Sequence, residues 1–549
     1  MKYNKLFSTR QTPQSQPIPG SGQVPNSTGG YAWAVNDWTR LNRFLVLGSE
    51  SSSYYATERK LTVENAEAVR RCIQADGARV VREIVAISDA GRAPKNDPAL
   101  FALAMCAGLG DDTTRKAALA ALPQVARIGT HLFNFSAFVE GFRGWGRGLR
   151  QAIANWYAQM PTDRLADQVV KYRQRDGWSH RDLLRLAHPK TDDATRNAIY
   201  KWVVDGWEGV GAEPHPDAVL RTLWAFERVQ RAETEAEAAA LIAQYNLPME
   251  VVPTEKRGKA VWKAVLPHAG LTFLIRNLGN LSKHGILQKG DWDTIRYISE
   301  RITNKEALKR ARVHPIQILS ALATYQQGHG ARGSGQWEVV PQIVDALDAA
   351  FYAAFGNVQP AGKRWVLALD VSGSMACGEI AGVPGLTPRV GSAAMAMVTY
   401  KVEPAAEVVA FTAASGGYGG QWGGGQSGMT PIDISRSQRL DDVLKATNNL
   451  PFGGTDCALP MLWALNNRVQ ADTFVIYTDS ETWANPKLHP VQALQEYRQK
   501  MGIPAKLVVV GMVSNGFSIA DPSDAGTLDV VGFDTSAPEV IRQFAAGLL

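Results

Sequence analysis

The sequence predicts a multidomain chain: an all-α array of paired helices over roughly the first two thirds, followed near residue 363 by an α/β domain with a doubly wound sheet. Three observations carry this reading. The chain has 549 residues, 45% of them hydrophobic, which is too long for one core and apolar enough for packed domains. Apolar residues recur at helical spacing as far as residue 358. Beyond it, short continuous apolar runs alternate with helical segments.

Taken in order, residues 8–30 (STRQTPQSQPIPGSGQVPNSTGG) hold few apolar side chains whose burial could offset ordering, so they are expected as an extended arm that could lie over another element. Helices are expected over 61–75, 98–107, 113–125, 153–160, 162–173, 192–204, 216–230 and 340–355, several opened by Thr, Asp or Pro and closed by Gly or Pro. Short turns between such helices suit an α-solenoid, and the lack of a fixed period makes any repeats irregular. The runs 364–369 (RWVLAL), 407–412 (EVVAFT), 473–478 (TFVIYT) and 506–511 (KLVVVG) read as strands buried on both faces. Helices expected over 390–400, 440–446, 457–465 and 491–501 lie between them, implying right-handed crossovers and a parallel sheet.

Composition excludes collagen-like, coiled-coil and disulfide-scaffold chains. Cys72, Cys106, Cys377 and Cys457 are scattered without a CxxC pair, which argues against a zinc ribbon or a secreted disulfide framework. No run of eighteen apolar residues and no N-terminal apolar segment is present, so a cytoplasmic protein without membrane association is expected. The formal charge of +6 conceals an asymmetry: residues 1–362 carry 45 Lys and Arg against 35 Asp and Glu, and residues 363–549 carry 13 against 17. A basic front half fits nucleic acid, and equally fits solvated helix faces.

In the α/β half, Asp370-Val371-Ser372-Gly373-Ser374 follows the first strand directly, Thr455 follows two glycines before a helix, and Asp479 ends the strand TFVIYT. In a doubly wound sheet these oxygen-bearing residues meet at the carboxyl edge, where ligands bind. A hard cation of the Mg²⁺ type takes such a set, with few carboxylates and some water. Each piece also has a plain alternative: Thr455 as a helix cap, Asp479 as a turn residue, Asp370 and its serines as a hydrogen-bonded turn. The D-x-S-x-S pattern with a later Thr and Asp resembles the metal-ion-dependent adhesion site of von Willebrand factor A domains. That resemblance implies that Asp370, Ser372 and Ser374 ligate the ion, that Thr455 and Asp479 do so directly or through water, and that one position stays open for an acidic partner group.

In the helical half the densest basic stretch is 171–190, KYRQRDGWSHRDLLRLAHPK, with six Lys and Arg against two Asp. Lys171 and Arg175 are expected on one helix face, Gly177 ends that helix, and Ser179 caps the next, which presents Arg181 and Arg185. Such spacing suits phosphates of an RNA backbone. A second basic and aromatic run, 142–150, contributes Arg143 and Arg147, either to RNA or to an interhelical loop.

The segments KYRQRDGWSHRDLLRLAH, LTFLIRNLGN, ARVHPIQILSALATYQQGHG, LALDVSGSM, PFGGTDCALPMLWALNN and SNGFSIADPSDAGTLDVVGFDT resemble, in this order, segments of the Ro 60 kDa autoantigen family, and the chain looks like a bacterial member. The resemblance implies an N-terminal arm (1–28), a HEAT-like helical TROVE ring (29–362) and a von Willebrand factor A domain (363–549). It implies binding of small noncoding Y RNA on an outer surface, with Lys171, Arg175 and His188 at the matching positions, and binding of the ends of misfolded or structured RNA in a central hole. It further implies RNA quality control, RNA processing and stress survival, and partnership through RNA with an exoribonuclease of the polynucleotide phosphorylase type. A Mg²⁺-dependent nuclease built on Asp370 and Asp479 is the alternative.

Overall fold

Helices Asp97–Leu109, Asp112–Val125, Gly129–Phe142, Arg147–Gln159 and Thr162–Lys171 follow one another with short turns, and acidic or hydroxyl side chains cap several helices of the array. Asp111 accepts from Thr114 N and Asp193 from Arg196 N, fixing the starts of Asp112–Val125 and Ala194–Asp205. The computed structural model describes residues 11–48, 58–207, 211, 213–330, 335–356, 358–380, 386–412, 428–432, 434–448, 453–485, 487–533 and 536–548. Residues 1–10 of the expected arm lie outside them. Helices Gly129–Phe142 and Pro315–Gln326 escape the sequence reading because both are apolar on most sides, so no stripe betrays them. Phe133 and Phe135 of the first of these helices are fully buried, as are Trp156 and Tyr157 of Arg147–Gln159.

The array closes on itself. Arg312 donates from Nε to the Asp89 carbonyl at 2.9 Å and from Nη2 to Asp89 Oδ1 at 2.6 Å. Beside that pair, His314 Nε2–H donates to the Arg92 carbonyl at 3.0 Å, and the Gln317 amide to the Pro94 carbonyl at 2.9 Å. Helices more than two hundred residues apart in sequence thereby share one seam, and the helical half is a ring.

In the α/β half the strand order is Thr527–Val531, Lys506–Gly511, Thr473–Thr478, Arg364–Asp370, Ala405–Phe411, Met429–Pro431. The first five run parallel, and the last pairs antiparallel with Ala405–Phe411. The sheet is therefore mixed rather than parallel throughout; a three-residue edge strand containing Pro431 is too short to show a period and sits where proline is tolerated. Arg364–Asp370 lies between Ala405–Phe411 and Thr473–Thr478, so strand order reverses beside it and opens a crevice at the carboxyl ends.

The arm lies on this second domain. Gln23–Pro25 pairs with Tyr31–Ala34, which pairs with Phe517–Ser518. Arg43, from the first helix Asp37–Leu47, is fully buried against the same domain. Its Nη2 reaches both carboxylate oxygens of Asp529 at 2.6 and 2.7 Å, and its Nη1 reaches the carbonyls of Asn515 and Phe517 at 3.0 Å each.

Candidate nucleic-acid interface and metal site

The ring encloses a cavity of about 820 Å³. Arg127, Arg164, Lys171, Arg276, Arg310 and Arg312 line it against a single carboxylate, Glu250. Lys171 Nζ stands 3.7 Å from that carboxylate, leaving a strong excess of positive charge. The imbalance shows in the ionisable groups: burial first, and then Arg312, lowers Arg127, while burial and Arg127 push the His131 imidazole down to about 4. Arg276 and Asn277 belong to the motif LTFLIRNLGN, and Arg312 and Gln317 to ARVHPIQILSALATYQQGHG. Residues far apart in the sequence thus share one wall.

The basic stretch 171–190 folds differently from its expected form. Helix Thr162–Lys171 ends at Lys171, and Gln174–Arg175 pairs with Trp178–Ser179 in a hairpin. Lys171 and Arg175 therefore do not share a helix face. The cause is the Asp176-Gly177 pair, whose φ values of 51° and 81° form a left-handed two-residue turn that matches strand twist. The second helix forms as expected: Ser179 and Asp182 make a reciprocal capping box at the start of His180–Ala187. His188 closes that helix in the left-handed conformation, φ 47°. Arg175, Arg181, Arg185 and His188 are exposed, whereas Lys171 is half-buried at the cavity wall.

The run 142–150 adjoins this hairpin, because the rings of Trp145 and Trp178 pack 5.0 Å apart. Arg147 opens helix Arg147–Gln159 and is exposed. Arg143 is half-buried and donates to the Ala107 carbonyl at 3.2 Å, so part of its hydrogen bonding is spent on a helix end. His180, in the same stretch, is a core residue: its Nδ1 lies 2.7 Å from the Tyr157 hydroxyl and its ring 4.7 Å from that of Phe133.

At the sheet crevice the five oxygen-bearing residues are all buried. Asp370 ends its strand; Ser372 N donates to its Oδ1 at 2.9 Å and Thr478 Oγ1 to its Oδ2 at 2.6 Å. The short helical turn Gly373–Ala376 carries Ser374, whose Oγ lies 3.1 Å from Ser372 Oγ. Gly373 N donates to the Gly453 carbonyl at 3.3 Å, tying this loop to the one bearing Thr455. Burial first, and then the facing Asp479, raises the Asp370 carboxyl well above its usual range, and burial raises Asp479. Thr455 Oγ1 is buried without a hydrogen-bond partner among the described residues, an arrangement that is costly unless something accepts its lone pairs. Two desolvated carboxylates, two touching hydroxyls and an orphaned threonine oxygen fit an octahedral divalent ion. Among the described residues no three His, Cys, Asp or Glu side chains form a metal set, so the hydroxyls are essential to that fit.

Sequence reasoning missed Glu481, which is buried beside Asp479 and pushed up to about 7 by burial first and then by Asp479. Its signal was its spacing two residues past Asp479, a candidate ligand. It also missed five cavity arginines: Arg127, Arg164 and Arg276 stand apart from the basic stretches, and the short run holding Arg310 and Arg312 was not singled out as basic.

Comparison with known proteins follows the two halves. A TROVE domain family model matches residues 24–210 and 248–324, and a Ro60 vWA domain model matches 364–545. The chain is 47% identical over 527 residues to RNA-binding protein RO60 of Deinococcus radiodurans, covering 96% of each. It is 34% identical over 613 residues to RNA-binding protein RO60 of Caenorhabditis elegans, covering 98% of this chain and 92% of that one. The crystal structure of the Deinococcus radiodurans RO (RSR) protein superposes with a TM-score of 0.70 at 47% identity, covering 94% of this chain and all of that one. Alike in both domains and over nearly its whole length, the chain belongs to the Ro60 family.

Proposed function

We propose that this protein binds RNA in two ways: structured small noncoding RNA of the Y type on the exposed basic surface around the hairpin, and single-stranded ends of misfolded or structured RNA in the ring cavity. The observation that carries the reading is the cavity, where six cations face one carboxylate inside a closed ring. A phosphate chain is the polyanion that such a lining attracts, with affinity that owes little to base sequence. Arg175, Arg181, Arg185, His188 and Arg147 supply the outer contacts, and Lys171, at the cavity wall, stands between the two surfaces. The role that follows is RNA quality control, RNA processing and stress survival in the cytoplasm, with a polynucleotide phosphorylase type exoribonuclease joined through the bound RNA. Among the described residues no helix is long and apolar enough to cross a membrane.

Asp370, Ser372, Ser374, Thr455 and Asp479 would hold a divalent ion, Mg²⁺ by ligand hardness. Once bound, the ion supplies a positive centre for an acidic group of a protein ligand. Binding rather than catalysis fits the surroundings. Arg389 donates to the carbonyls of Val371 and Ser372. The Cys457 thiol, near Thr478, is held protonated by burial first and then by Asp370, so it is no nucleophile.

The test is a titration of the Lys171→Ala, Arg175→Ala double variant with a structured small RNA over a salt series. Affinity should fall, and the slope of log K against log salt should flatten by about 2. Unchanged affinity and slope would remove both residues from the interface.

A further inference from the structure

The five proposed metal ligands come from three loops, and two of those loops are fastened to each other by a side chain from the opposite end of the chain. Gln14, in the arm, is fully buried. Its Nε2 donates to Asp456 Oδ1 at 2.9 Å and to the Leu488 carbonyl at 3.3 Å. Its Oε1 accepts from Thr482 Oγ1 at 2.7 Å and from Asn485 N at 3.3 Å. All four hydrogen-bonding positions of the amide are thereby used. The backbone of Gln14 is held as well: its N–H donates to the Asn485 carbonyl at 3.0 Å, and its carbonyl accepts from Tyr31 N at 2.9 Å.

Apart from Leu488, the partners divide between the Thr455–Asp456 turn and the 479–485 loop. Asp456 adjoins Thr455, and its second oxygen accepts from Asn485 Nδ2 at 2.9 Å. The Thr455 carbonyl accepts from Trp483 N and Ala484 N at 3.1 Å each. Further along the arm, Asn26 Nδ2 donates to the Thr482 carbonyl at 2.8 Å and Ser27 N to Glu481 Oε2 at 2.9 Å. Gly30 passes so close that a Cβ there would lie 2.0 Å from the Thr482 carbonyl oxygen. On the far side of the loop, Asn515 holds the Asp479 carbonyl at 2.5 Å.

From this arrangement we infer that residues 11–30 are a positioning element of the metal site: the arm, through Gln14, sets the distance between Thr455 and Asp479, and arm docking and Mg²⁺ binding strengthen each other. The inference rests on the metal reading of the five ligands proposed above. Groups that orient ligands from behind alter metal affinity by roughly 10–100-fold when removed. Linkage requires that an ion favouring the docked arm also protects it, by the same factor.

The experiment measures Mg²⁺ affinity by calorimetry on the full chain, with folding of each variant confirmed by circular dichroism. Wild type should bind and Asp370→Ala should not, which establishes the site. Gln14→Ala and Gly30→Ala, two independent ways of loosening the arm, should each weaken binding roughly 10–100-fold, while Ser15→Ala, at an exposed arm position, stays at the wild-type value. In parallel, Mg²⁺ should slow proteolytic cleavage of the wild-type arm and not that of Asp370→Ala. If Gln14→Ala and Gly30→Ala bind as wild type does, or Mg²⁺ leaves arm cleavage unchanged, the positioning role is overturned and the metal site stands. If wild type and Asp370→Ala bind Mg²⁺ equally or not at all, the metal reading falls and takes this inference with it.

Discussion

Replacing Arg276 and Arg310 together by alanine isolates the ring cavity from the rest of the molecule. Both line the cavity, both are exposed, and among the described residues neither makes a hydrogen bond or ion pair. Each lies in the last turn of a short helix, Leu271–Arg276 or Lys305–Arg310, where a cation contributes about 0.5 kcal/mol through the helix dipole. The fold should therefore survive with a loss of about 1 kcal/mol in total. The effect on binding is larger and has a diagnostic form. Each phosphate neutralised in a single strand contributes about −0.7 to the slope of log K against log salt, so full engagement of the cavity gives about −4 and the double variant about −3. Between about 50 and 200 mM salt, wild-type affinity should fall roughly 300-fold and that of the variant only about 50-fold. Fluorescence anisotropy of an end-labelled, unstructured RNA, titrated at four salt concentrations, reads both quantities. Parallel salt slopes for the two proteins would show that single strands do not enter the ring, whatever the change in absolute affinity.

Two further predictions concern the frame that holds these sites. Burial drives the His180 imidazole down to about 3, below the value of about 6.5 expected when unfolded. The folded state thus resists protonation, and stability that is complete above pH 6.5 is lost as pH falls toward 3, by about 2 kcal/mol at pH 5. Urea melts of wild type and His180→Gln at pH 7 and pH 5 should differ in their pH dependence by about that amount; identical pH dependence would mean that His180 is already protonated or exposed. Arg43→Ala leaves Asp529 with the Ser518 hydroxyl in place of a paired cation and takes this donor from the carbonyls of Asn515 and Phe517, and breaking a buried pair of this kind costs about 3–5 kcal/mol. A loss under about 1 kcal/mol in the same melts would show that the Arg43–Asp529 pair adds little to the joining of the two domains.

What was legible in the sequence is what local order determines. The four expected strands formed because each is a short apolar run buried on both faces, and Asp370, Ser372 and Ser374 were readable together because a single turn holds all three. The left-handed Asp176-Gly177 turn was equally local, yet the four-residue spacing of Lys171 and Arg175 suggested that the helix ran on to Gly177, and only its end was read there. Side chains brought together by closure were beyond reach. Arg276 and Arg312 share a wall only because Arg312 grips Asp89 across the seam, and no periodicity within a window encodes that meeting. The same holds for Gln14, whose partners lie more than four hundred residues away. A polar, proline-rich arm lacks apolar area to bury, so the usual signal for order is missing. Its docking rests instead on paired hydrogen bonds to loops whose own polar groups would otherwise be buried unsatisfied. That explains why the arm reads only as an extended segment and folds as part of a domain: the surface that orders it is supplied by the other end of the chain, and the two ends specify one structure only together.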